Sequence, residues 1–138
     1  MVLKTPKSQR GITLIEVLIT AAIVGILASV AWPAYERQNM KQKRAEAVVA
    51  LTKISSELQR YFSDNLTYED YVVSDGIADA MKHYDVALNL AAKTYTVTAT
   101  ATGNQANDAE CTSLTLDNAG RKSHTGTAPS AARCWGSN

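Results

Sequence analysis

The sequence predicts an α+β fold: one long N-terminal helix packed on a small antiparallel sheet, closed by a C-terminal disulfide-bounded loop. Three observations predict it. An apolar run from Gly11 to Trp32 passes into a stretch with helical spacing of apolar residues up to Phe62. From Thr94 to Thr102, threonines alternate with Tyr95, Val97, Ala99 and Ala101 in the two-residue period of a strand. Two cysteines, Cys111 and Cys134, lie in the polar C-terminal part, and an even pair in a small polar domain reads best as a disulfide. The 138 residues amount to one domain, and a net charge of +1 gives no global attraction to nucleic acid or acidic lipid.

The N-terminal element comes first. At about 1.5 Å of rise per residue, Ile12 to Trp32 extends roughly 31 Å as a helix, against a hydrocarbon core of about 30 Å. It is long enough to span. Met1 to Arg10 is short, polar and basic, and Gly11 precedes the apolar segment, whereas an ordinary secretory signal carries its small-residue cleavage site after it. A cut after Gly11 leaves the apolar segment in place as an anchor. Lys4, Lys7 and Arg10 on one flank are balanced by Arg37, Lys41, Lys43 and Arg44 on the other, so charge alone does not orient the segment. The disulfide does, because it requires the oxidising side of the membrane; the C-terminal part is expected outside the cytoplasm. Glu16 stands inside the apolar run, where a carboxylate costs about 2.5 to 3.5 kcal/mol and is by default a functional group with a partner. Gly25 and Pro33 weaken the same segment and predict a kink or local melting between them.

Beyond Pro33, Ala47, Leu51, Ile54, Leu58 and Tyr61 recur at three- and four-residue steps, one amphipathic face that packs on the chain's own sheet. Asp64 to Lys93 has no clean period and is expected to be a long, partly helical connection. Its acidic residues lack the spacing of a calcium loop. After the strand at 94–102, Ser113 to Leu116 forms a second, Asp117 to Gly120 supplies turn residues, and Arg121 to His124 forms a third. The tail from Thr125 to Arg133 is too poor in bulky apolar residues to hold itself, so a Cys111–Cys134 bridge would pin it.

The motif Gly11-Ile12-Thr13-Leu14-Ile15-Glu16, with its basic leader and apolar helix, resembles the class III signal of type IV pilins and pseudopilins. Further stretches, among them Arg44-Ala45-Glu46-Ala47, Glu57 to Phe62, Asn65 to Tyr68, Tyr95 to Thr100, Leu114 to Asp117 and Cys134-Trp135, are similar to PilE-type minor pilins of type IVa pili. The resemblance implies a leader over 1–11 cut by a prepilin peptidase between Gly11 and Ile12, and methylation of the new N-terminus at Ile12. The family's usual Phe at that position is here Ile. It implies a polymerisation half-helix over 12–33, an amphipathic half-helix over 34–62, an αβ-loop over 63–92, and the sheet and disulfide region over 93–138. In assembly, Glu16 would pair with the Ile12 ammonium of a neighbouring subunit, with Gly25 and Pro33 shaping the helix.

The resemblance implies a minor structural subunit of a type IV pilus. Its partners would be other pilins, the prepilin peptidase, the inner-membrane assembly machinery, and membrane lipid before assembly. It would move from the inner membrane, with its C-terminal domain in the periplasm, to the extracellular fibre, supporting twitching motility, adhesion or DNA uptake. The alternatives are a type II secretion pseudopilin, a competence pilin that binds DNA, and a membrane-anchored domain that never polymerises. Catalytic residues, metal ligands and cofactor motifs are not expected: there is no phosphate-binding glycine loop and no CxxC, and His83 and His124 are isolated in the sequence. The basic group Arg121, Lys122, His124 and Arg133 reads first as a solvated hairpin and second as a place for DNA phosphates. No aromatic row accompanies it, so stacking on single strands is not expected.

Overall fold

The computed structural model describes residues 11–78 and 81–136. Met1 to Arg10, which carry the expected leader charges, lie outside the described residues. Helix α1 spans Leu14–Asn65 and is followed by a one-turn helix, α2, at Asp75–Ala78. Strands β1 (Tyr84–Leu90), β2 (Tyr95–Ala101), β3 (Ser113–Asp117) and β4 (Lys122–Thr125) form an antiparallel sheet in sequential order. A 3-10 turn at Gly103–Asn107 joins β2 to β3, and a short helix α3 at Ala131–Trp135 closes the chain.

The chain divides into two units, Met1–Arg37 and Gln38–Asn138. In the first, the apolar residues of α1 are exposed among the described residues: Ile12, Leu14 and Val30 are 77%, 78% and 72% exposed. The segment is long and apolar enough to cross a membrane. Pro33 lies inside the helix, which is unbroken through Gly25 and Pro33, so the expected melting is not present. Proline removes one backbone donor, and a single missing bond does not interrupt a helix whose flanking turns are intact.

In the second unit the predicted face of α1 is the buried one. Leu51, Ile54 and Leu58 are wholly buried and join Val97, Ala99, Leu114 and Cys111 in one core. Tyr61, expected on that face, is only half-buried and donates its hydroxyl to the Glu69 carbonyl at 3.2 Å. Strand β2 is central because its period is uninterrupted: Tyr95, Val97, Ala99 and Ala101 all turn into the core. The Tyr95 hydroxyl meets Ser55 Oγ at 2.7 Å, giving that buried ring a polar partner on α1.

The connection is shorter than the sequence suggested. Residues 63–92 are not loop throughout, since β1 occupies Tyr84–Leu90 and pairs residue for residue with β2, from Tyr84↔Ala101 to Leu90↔Tyr95. Tyr84, Val86, Leu88 and Leu90 do alternate, but Asp85 and Asn89, both poor strand formers, fill the other face. On an edge strand those positions are exposed, and a charge there guards against further pairing. The segment before β1 is tied back to α1: Tyr71 donates to Glu57 Oε2 at 2.7 Å, and Ser74 reaches the same carboxylate at 3.3 Å. Burial first, then the Glu57 carboxylate, pushes the Tyr71 phenol well above its usual range.

Candidate functional site

Around Glu110 the C-terminal segment, the sheet and α1 converge. Cys111 and Cys134 are bridged, with Cα atoms 5.8 Å apart and 23 positions between them in sequence. Closing a loop of that length stabilises the fold by about 3 kcal/mol in the chain-entropy account. The bridge is not the tail's only restraint. Thr127 N–H donates to the Ala109 carbonyl at 2.8 Å and Ala128 N–H to the Glu110 carbonyl at 3.1 Å. Gly126 has φ +128°, and a Cβ there would stand 2.3 Å from the Glu110 carbonyl oxygen, so only glycine permits this approach. Trp135, 5% exposed, completes the anchor by donating Nε1–H to the Ser123 carbonyl at 2.9 Å.

Charges knit the same region together. Arg44 of α1 is buried and forks onto both oxygens of the buried Asp108 through Nε and Nη2. Its Nη2 also reaches Glu110 Oε2 at 3.2 Å, and Arg133 of α3 grips that carboxylate from outside at 2.9 and 3.3 Å. The Arg133 bond first, then the Arg44 bond, holds the Glu110 carboxyl below its usual range. Gln105, wholly buried, donates Nε2–H toward the Met40 carbonyl, the Tyr84 hydroxyl and Asp108 Oδ2 at 3.0 to 3.2 Å. Burial pushes the Tyr84 phenol up to about 12. Arg44 therefore belongs to the interior and, unlike Arg37, Lys41 and Lys43 beside it in the sequence, is not a free charge at the membrane flank.

The four basic candidates do not form one cluster. Arg121 is bound to Asp117 of its own turn at 2.6 Å, and that carboxyl is held low chiefly by the backbone N–H of Arg121. His124 Nε2 meets the Ala128 carbonyl at 3.1 Å, an intrachain tie. Trp135 stands near each of the other two: the Lys122 ammonium is 5.4 Å from the indole centroid, and Arg133, two positions before Trp135 on α3, lines with it a groove of about 560 Å³ between α1 and α3. Lys41 of α1 lines it too. Sequence reasoning missed Lys41 as a site residue because it was counted only as a flanking charge. Trp135, noted only as part of the closing Cys134-Trp135, was not linked to the cations.

At the other end, Thr13 precedes the helix and its Oγ1 accepts from Glu16 N–H at 3.3 Å. Thr13-Leu14-Ile15-Glu16 thus has the spacing of a capping box, and an acidic residue in the first turn suits the helix dipole. Among the described residues nothing lies within 4 Å of a Cβ added at Gly25.

A long N-terminal helix with an exposed apolar first half, a four-stranded antiparallel meander and a disulfide-closed C-terminal segment together define the pilin fold. The chain belongs to the type IV pilin family. Within it, residues 33–115 match the family described as "Type IV minor pilin ComP, DNA uptake sequence receptor", and residues 6–32 match the prokaryotic N-terminal methylation motif. Over 70 residues, 51% of the chain, it is 36% identical to the type IV major pilin protein PilA of Myxococcus xanthus, covering 32% of that protein. Over a stretch of the same length it is 37% identical to the type IV major pilin protein PilE1 of Neisseria gonorrhoeae, covering 42% of it. The chain thus spans less than half the length of these curated relatives. The fold is similar to that of the non-core minor pilin PilV of Neisseria meningitidis, with a TM-score of 0.55 and 19% identity over 68% of this chain and 94% of that one.

Proposed function

We propose that this chain is a minor subunit of a type IV pilus whose exported C-terminal face takes DNA by its phosphate backbone. The observation that carries the reading is the match of residues 33–115 to a family described as a DNA uptake sequence receptor. Geometry supports it: Lys122 stands over the Trp135 ring and Arg133 lines a groove beside the same tryptophan, on a face remote in sequence from the anchor. Phosphate contacts of this kind supply affinity and position without reading sequence. The helix-borne half of the proposal is cleavage after Gly11 by the prepilin peptidase and methylation of Ile12. Insertion in the inner membrane with the domain in the periplasm follows, and then assembly with other pilins through 12–33. The role is structural and binding rather than catalytic.

A double substitution tests this reading. Lys122→Ala with Arg133→Ala is expected to leave fibres at normal number and length, because exposed charges contribute about 0 to 1 kcal/mol to stability. DNA uptake, measured as transformation frequency, should fall at least several-fold. Unchanged uptake in a strain that makes normal fibres would leave the chain as an assembly subunit alone.

A further inference from the structure

We propose that the groove between α1 and α3 is a second phosphate subsite of this face, with Lys41 as its contact residue, occupied by the DNA backbone as it continues past Lys122. This inference rests on the DNA reading above. Among the cations that line the groove, Arg44 is committed to Asp108 and Arg133 is shared with Glu110. Lys41 is exposed and, among the described residues, makes no ion pair; nor does Lys122. The two lysines come from opposite ends of the domain sequence, but Trp135 borders both positions: its ring lies under the Lys122 ammonium and its side chain lines the groove that Lys41 lines.

An extended polyanion can engage both cations at once, and each phosphate neutralised releases condensed counterions into solution. The arrangement of Glu110 fits this use. It is bonded to Arg44 as well as to Arg133, so Arg133 can turn to a phosphate without leaving that carboxylate unpartnered. Arg121, paired with Asp117, is not among the residues that line the groove.

The test is fluorescence anisotropy of a labelled mixed-sequence DNA duplex titrated with the full chain in neutral detergent, over a series of salt concentrations. Lys41→Gln and Lys122→Gln should each weaken binding several-fold and alike for unrelated sequences, and each should reduce the salt slope by about 0.9. Lys53→Gln, an exposed lysine of α1 outside the groove, should match wild type. Lys41→Gln behaving like Lys53→Gln while Lys122→Gln loses affinity would overturn the subsite and leave the DNA reading standing. No salt-dependent binding by wild type would overturn both. Loss of binding to anionic lipid vesicles in Lys41→Gln, with DNA binding intact, would assign the groove to a different surface and also overturn the proposal.

Discussion

Replacing Glu16 with Leu is expected to leave the chain processed and in the membrane, yet to deplete it at least tenfold from sheared fibres. Leucine makes the segment more apolar, so insertion is as good or better on transfer scales. Joining fails because the ammonium of Ile12, mostly protonated at neutral pH once the leader is gone, would meet no carboxylate among the packed helices. An unpaired buried charge costs several kcal/mol, and each 1.4 kcal/mol is about a tenfold change in occupancy. The structure offers a rival role for the same residue, because Glu16 sits where a capping box places its acidic member. Glu16→Gln separates the two. Glutamine serves that box about as well as glutamate but carries no charge, so depletion comparable to Glu16→Leu is expected if the ion pair is what matters. Full recovery of the Gln variant in fibres would assign Glu16 to the helix end.

The largest loss of stability is expected from Arg44→Met. Asp108, 3% exposed, would be left buried without its principal partner, and breaking a buried pair from one side costs about 3 to 5 kcal/mol. For a domain of this size that lowers the melting temperature by roughly 15 °C. Thermal unfolding of the full chain in detergent, followed by far-UV circular dichroism, reads the shift. Arg44→Met combined with Asp108→Leu should recover much of it, since replacing both partners with apolar groups is often close to neutral. An unchanged melting temperature in the single variant would mean that water reaches Asp108 and screens it.

Periodic elements were legible in the sequence because period is a local property. The face Ala47, Leu51, Ile54, Leu58 and the alternation around Tyr95 each announce one buried side, and both are buried as expected. The two cysteines left one pairing, which the structure contains. Strand β1 escaped notice because Asp85 and Asn89 weaken its propensity while its alternation remains, and an edge position rewards polar residues that propensity penalises. The Arg44–Asp108 pair joins residues 64 positions apart, and nothing local to either side chain marks it as buried. The same holds for the candidate site. Lys122 and Arg133 were legible as cations, but only tertiary structure sets the Trp135 ring under Lys122 and brings Lys41 of α1 to the groove that Arg133 and Trp135 line. In the other direction, Arg121 and His124 look equivalent to Lys122 in the sequence, and only the structure shows each tied within its own hairpin region, Arg121 to Asp117 and His124 to the Ala128 carbonyl.

The measurement that bears most directly on the account is quantitative mass spectrometry of pili sheared from cells, with the inner-membrane fraction analysed in parallel. The account predicts this chain in the sheared fibres at a level well below the major pilin, beginning at Ile12 and carrying the Cys111–Cys134 bridge. Finding it wholly in the membrane fraction, while the same cells shed abundant pili, would contradict the account and return the chain to a membrane-anchored domain that never polymerises.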